Sequence, residues 1–379
     1  MADALKHFYS PDLVRRLAGD IRRVAPSFPS GSFTTAAVRG LDELELLDRA
    51  RHIASALADS LPEYPEAVEI LLRSLGPEHA KDELVGVGME PFFYMPHSIF
   101  VAERGLDHFE LSMRAQYELT KRFSAESSIR PYIAKYPERT FALLQEWASD
   151  SNAHVRRLVS EGTRLRLPWA SRVAWLDANP RRVLELLERL KDDHTTLVRR
   201  SVANNLNDMS KVHGSIMIET CARWLEGATA ERRALVEHAL RSSMKRRDPD
   251  ALRLLGYGGR ARVELTQIRF DPPRVQIGGR VELCFVLRSR SSEPQELLVD
   301  LAVHFVKAGG RTSPKVFKLT RAVLQPRESI ELKKSVSLAV HSTRMPRPGR
   351  HAVDVVVNGT ALPAGSFDVV PTRAVRRPR

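Results

Sequence analysis

Two stretches of this chain repeat one pattern about one HEAT-type repeat length apart: Val155-Arg156-Arg157-Leu158-Val159-Ser160-Glu161-Gly162 and Val198-Arg199-Arg200-Ser201-Val202-Ala203-Asn204-Asn205. On a helix, Val155, Leu158 and Val159, and again Val198, Val202 and Leu206, form apolar stripes at three- and four-residue spacing. Arg157, Glu161 and Arg164, and likewise Arg200, Asn204 and Asp208, share the opposite faces. The pattern therefore predicts an α-solenoid whose stacked repeats bring cations and carboxylates together on one concave surface. Either copy alone is also what a solvated helix face with i,i+4 ion pairs would produce.

From Pro11 to about Met244 the apolar residues keep helical spacing, as in Ala67, Ile70, Leu71 and Leu75. Prolines such as Pro65, Pro77, Pro137, Pro168 and Pro180 punctuate these runs without interrupting them. Gly256-Tyr257-Gly258-Gly259-Arg260 marks a flexible junction. It is not a phosphate-binding loop, because no strand precedes it and no Gly-Lys-Ser/Thr follows. Beyond Val263 the period falls to two: Val281, Leu283, Phe285 and Leu287, then Val299, Leu301, Val303 and Phe305, then Val353, Val355 and Val357. Turn signals such as Gly278-Gly279, Gly309-Gly310 and Asn358-Gly359 separate these runs, as in an immunoglobulin-like β-sandwich. The expected division is residues 1–255 helical repeats, 256–262 linker, 263–371 sandwich and 372–379 a basic tail containing Arg373, Arg376, Arg377 and Arg379.

Charge is distributed unevenly. The chain carries a formal +13, and from Val263 onward 20 basic residues face 10 acidic ones, so most of the excess lies in the C-terminal third. That suits an anionic partner, with the sandwich as an electrostatic anchor. Cys221 and Cys284 fall on opposite sides of the expected boundary, which argues against a structural disulfide and suits a reducing cytoplasm. The N-terminal residues show no basic-then-apolar signal and no apolar run is long enough to span a bilayer, so neither secretion nor a membrane partner is expected.

The region from Pro96 to Trp169 carries the most specific sequence. It reads Pro96-His97, Val101-Ala102, Gly105, Phe109-Glu110-Leu111-Ser112, Leu119 to Glu126, Ile129-Arg130-Pro131-Tyr132-Ile133, Arg157, Ser160 to Arg164, and Leu167-Pro168-Trp169. With Val198 to Asp208, this ordered set resembles the AlkC family of bacterial DNA alkylation glycosylases, some of which carry an immunoglobulin-like domain after HEAT-like repeats. The resemblance implies base excision repair of alkylated duplex DNA. Excision of N3-methylated bases, chiefly 3-methyladenine and also 3-methylcytosine, without flipping the lesion into a pocket is the implied activity, in a nucleoid-associated cytoplasmic protein. The chain departs from the family pattern at Ser127-Ser128, where bulkier apolar residues are expected, which bears on how Glu126 is packed.

An N3-methylated adenine is cationic and leaves as a neutral base, so the leaving group needs no general acid. The sugar becomes an oxocarbenium ion, which a nearby carboxylate stabilises while orienting or deprotonating water. Glu126, Glu161 and Asp208 are the candidate acids; for each singly the alternative role is to orient a neighbouring arginine. Trp169, after Pro168 at an expected helix start, could lay its ring against the sugar, whereas Trp147, Trp175 and Trp224 are expected in the core. Arg156, Arg157, Arg164, Arg166, Arg199 and Arg200 offer guanidinium groups to phosphates, Arg157 and Arg164 foremost because they share a face with Glu161. Sandwich loops at Lys307 to Lys318 and Arg344 to Arg350, containing Lys315 and Arg347, could also reach the duplex. The histidines lack metal-ligand spacing and no nucleophile elbow exists, so neither a metal nor an organic cofactor is expected, and no obligate protein partner is implied. The alternative is a non-catalytic HEAT scaffold that binds DNA or protein; it needs the arginines but no acids converging beside them.

Overall fold

The computed structural model describes residues 5–79, 88–340 and 345–371, so Arg344 and the arginines expected in the tail lie outside the described residues. The chain forms two compact units, Met1–Leu240 and Arg241–Arg379.

The first unit is helical: α1 Pro11–Val24, α2 Ser30–Val38, α3 Leu46–Ser60, α4 Tyr64–Ser74, α5 Met95–Arg104, α6 Phe109–Thr120, α7 Arg130–Lys135, α8 Pro137–Trp147, α9 Ala153–Gly162, α10 Ala174–Ala178, α11 Pro180–Leu190, α12 Thr196–Met209, α13 Gly214–Leu225 and α14 Ala230–Ala239. Pro65, Pro96, Pro131, Pro137 and Pro180 sit in first turns, where the missing N–H would be unpaired anyway. The row α6, α9, α12, α14 stacks helix on helix, and α8, α11 and α13 pack behind it. The repeated stripe explains this packing. Val155, Leu158 and Val159 of α9 and Val198, Val202 and Leu206 of α12 are all buried, and each such side chain contributes about 1.5–3 kcal/mol of burial. Asn152 starts α9 by accepting from the backbone N–H groups of His154 and Val155, which fixes where its polar face begins. No helix among the described residues is long and apolar enough to cross a membrane.

The second unit opens with two short helices, α15 Arg241–Lys245 and α16 Pro249–Leu254, and continues as an immunoglobulin-like sandwich. Its strands are β1 Val263–Asp271, β2 Arg274–Gln276, β3 Arg280–Ser289, β4 Gln295–Val306, β5 Thr312–Leu324, β6 Ser329–Ser337, β7 Gly349–Val357 and β8 Thr360–Val370. They form sheets of order β1-β3-β6 and β2-β8-β7-β4-β5. The alternating residues of β3, β4 and β7 singled out in the sequence fill the space between the sheets. Asn358 (φ 47°) and Gly359 (φ 79°) turn β7 into β8, both in the left-handed region that a two-residue hairpin needs. Residues 256–262 belong to this unit: Tyr257 is buried, and Arg262 accepts from and donates to the Gln295 side chain. Lys315 stands on the edge strand β5 and not in a loop, because the turn there is confined to Ala308–Gly310.

Candidate functional site

One ionic chain crosses three helical repeats of the first unit. Glu126, in the segment before α7, accepts from Arg157 Nη2 of α9 at 3.0 Å and from Ser124 Oγ at 3.0 Å. Arg157 Nη2 also lies 3.9 Å from Glu161 Oε1, one turn further along α9. Glu161 Oε2 accepts from Arg164 Nη1 at 3.0 Å, and the Nε of the same guanidinium donates to Asp208 Oδ2 on α12 at 2.8 Å. Lys211 closes the chain at 3.1 Å from the other Asp208 oxygen. Burial opposes the charge on Arg164, but the carboxylates of Glu161 and Asp208 hold its pKa above the ordinary value. The candidate acids are thus drawn together through shared arginines. Glu161 and Asp208 are buried and Glu126 is partly exposed.

Beside this chain lies a groove of about 560 Å³. Its walls include Phe92, Met95, Ile99, Phe123, Pro131, Pro168 and Val173, and of the three acids it is Glu126 that lines it, together with Arg157. Trp169 stands over the groove at 65 % exposure and φ 62°, whereas Trp147, Trp175 and Trp224 are wholly or partly buried. A bulky aromatic residue held in the left-handed region and left in solvent contributes little to folding. The expected helix start at Trp169 is not there. The residue sits in a turn between α9 and α10, and α10 begins only at Ala174. Ser128 is buried and donates to Gln116 Oε1 and to the Ala125 carbonyl, so hydrogen bonds replace the apolar packing expected beside Glu126.

The arginines separate into two kinds. Arg156 is buried: Nε and Nη2 grip Asp193, Nη1 donates to the carbonyls of Asp150 and Ser151, and Nη2 also meets His194. Burial would push Asp193 up, but Arg156 and the Thr195 backbone and hydroxyl donors hold it below the usual carboxylate range. With its fork filled, Arg156 braces α9 against the start of α12 and has nothing to offer a phosphate, contrary to expectation. Arg164 is likewise committed to two carboxylates and belongs to the acid chain. Arg166 donates to Asp177 and to the Leu165 carbonyl. Arg199 is partly engaged, through the Asp193 carbonyl and Thr196. Arg200 is exposed on α12, and in the second unit Lys315 and Arg347 are exposed as well.

Arg130 belongs to the Ile129-Arg130-Pro131-Tyr132-Ile133 motif, and its residue type there points to no particular partner. It is buried at the start of α7 and donates to the carbonyls of Gly162, Arg164 and Ser171. A side chain whose partners are all backbone leaves no paired residue type for a motif to reveal.

Residues 123–244 match the family model described as "DNA alkylation repair enzyme", and residues 264–371 match "Uncharacterised protein YhaZ, C-terminal Ig-like domain". The alkylpurine DNA glycosylase AlkC of Pseudomonas fluorescens, solved bound to DNA containing an abasic site analog, superposes with a TM-score of 0.87 at 33% identity, covering 97% of this chain and 99% of that one. The chain belongs to the AlkC family. The uncharacterized protein YhaZ of Bacillus subtilis (strain 168) is 33% identical over 371 residues, 97% of this chain and 100% of that protein. Helical repeats followed by an immunoglobulin-like sandwich are therefore an architecture this chain shares with that AlkC chain. In this member the acids, Arg157 and the exposed indole all lie within the repeats matched by the alkylation-repair model.

Proposed function

We propose that this AlkC-type protein is a hydrolytic DNA glycosylase that removes N3-alkylated bases, 3-methyladenine chiefly and 3-methylcytosine also, from duplex DNA. The observation that carries the reading is the alternating chain Glu126–Arg157–Glu161–Arg164–Asp208 beside a groove overhung by an exposed tryptophan. Glu126 is the carboxylate of this ionic chain that reaches the groove, where negative charge favours a cationic transition state. A scaffold that bound only phosphates would gain nothing from it.

In the proposed reaction the C1′–N bond breaks with its electron pair going to the departing base, which leaves neutral. Glu126, at the groove, faces the oxocarbenium ion and takes the proton of the water that attacks C1′, so the products are free base and an abasic hemiacetal. Glu161 and Asp208 act from below: through Arg157 and Arg164 they fix the orientation of Glu126 and add their charge to the field. Trp169 lays its ring against the deoxyribose, where a π face favours positive charge. As the AlkC resemblance implies, the lesion stays in the stack, and in this reading these groups act on its sugar. Arg157, Arg199, Arg200, Lys315 and Arg347 hold the DNA backbone.

The test is release of free base from duplex DNA treated with a methylating agent, under single-turnover conditions. Release of 3-methyladenine by the protein, lost in Glu126→Gln, supports the proposal. Tight, salt-sensitive binding without release would replace it with a non-catalytic DNA-binding role.

A further inference from the structure

The turn that presents Trp169 is held by one buried side chain. Arg130 Nη1 donates to the Gly162 carbonyl at 3.0 Å and to the Arg164 carbonyl at 2.8 Å, and its Nε donates to the Ser171 carbonyl at 3.0 Å. The acceptors lie on both sides of Trp169 in sequence, so a single planar group closes the base of the segment whose tip carries the indole. Gly162 makes this reach possible: a Cβ there would stand 2.8 Å from Ile129 Cγ2, the residue next to Arg130. Gly162 also ends α9, whose last carbonyls have no partner within the helix and attract a cation.

The arrangement works against stability. Arg130 is 3% exposed and hydrogen-bonds to carbonyls with no carboxylate among its partners. Burial pulls its pKa down to about 10, only partly offset by the more distant Asp177. A buried cation satisfied by carbonyls alone is a poor way to stabilise a fold. It is a good way to fix a turn, because the rigid fork of a guanidinium sets the separation of the groups it grips.

We propose that Arg130 is a positioning residue for base excision, acting through the turn it clamps to hold the Trp169 ring over the groove. The inference rests on the glycosylase reading for its kinetic consequence. Lysine is the informative replacement: it keeps the charge, but its single ammonium cannot span carbonyls on both sides of the turn.

The experiment compares wild type, Arg130→Lys, Trp169→Ala and the double variant in single-turnover release of 3-methyladenine from methylated duplex DNA, with affinity for the same duplex measured separately. In parallel, the fluorescence anisotropy of Trp169 is obtained as the difference between each protein and its Trp169→Phe counterpart. Arg130→Lys is expected to slow release roughly 10- to 100-fold, the loss that follows a small misplacement of a catalytic group. Affinity is expected to stay within about twofold, since a buried group meets no phosphate. Trp169 anisotropy falls, and the double variant is no slower than Trp169→Ala. Should the lysine variant not fold, Arg130→Gln, which has an amide donor and no charge to desolvate, provides the same comparison. Wild-type release, unchanged Trp169 anisotropy, or a loss that multiplies with that of Trp169→Ala would each overturn the proposal. If wild-type protein itself releases no base, the glycosylase reading fails, while the anisotropy comparison still decides whether Arg130 holds the ring.

Discussion

Replacing Glu161 with glutamine isolates the charge of the ionic chain from its shape. Glu161 is 4% exposed, with one oxygen 3.0 Å from Arg164 and the other 3.9 Å from Arg157. The glutamine carbonyl can still accept from Arg164, so the helix and the turn beyond it keep their anchor. What disappears is one unit of negative charge. The linked side chains, Lys211 included, go from neutral to a net +1. One charge acting on an oxocarbenium ion across roughly 5–8 Å at an effective dielectric near 20 amounts to about 2–3 kcal/mol. The chemical step should therefore slow roughly 30- to 200-fold. DNA affinity should change little, because Glu161 is buried and does not line the groove. The assay is single-turnover 3-methyladenine release, with binding to an abasic duplex followed by fluorescence anisotropy and the thermal midpoint confirming that the variant folds. A rate within about threefold of wild type at unchanged affinity would refute the electrostatic argument and leave Glu161 as an orienter of arginines.

Trp169→Gly relieves a left-handed backbone at an exposed site. It is expected to be as stable as wild type or up to about 1 kcal/mol more so, yet far slower in base release; urea denaturation beside the kinetic assay checks both. Arg156→Met strands the buried Asp193 carboxylate and should lose about 3–5 kcal/mol of stability. Arg200→Gln, at an exposed position, should leave stability alone and reduce the slope of log affinity against log salt by about one. His97 is 1% exposed and desolvation lowers its pKa to about 4. The fold holds it neutral, while the unfolded chain takes up a proton near 6.5, so stability is full above that value and is lost as pH falls from about 6.5 to about 4. The loss approaches 3 kcal/mol, and His97→Leu should flatten the thermal midpoint over that window.

Periodicity made the architecture readable because it is a property of the backbone. A 3.6-residue stripe on α9 and α12 has to be buried by another helix, and the period-two runs of β3, β4 and β7 have to face a second sheet, whatever the remaining residues are. Partner choice is different. Arg156 and Arg157 are adjacent, have the same side chain and stand in the same repeated motif, yet one is locked onto Asp193 and the other joins Glu126 at the groove. On a helix they point 100° apart, and the element met in each direction is set by how the next repeat is stacked, which a single repeat does not encode. The same limit explains Trp169: the turn it occupies is bonded at its base by Arg130 from another element, which no local signal around Pro168 encodes. Arg130 marks the boundary. Side chains that recognise side chains leave paired residue types in a sequence, whereas a side chain that recognises three carbonyls leaves only itself. A residue of that kind is found by asking why a charge is buried without a counter-charge, and here the answer leads to the one large aromatic ring that, among the described residues, the repeats leave in solvent beside their acids.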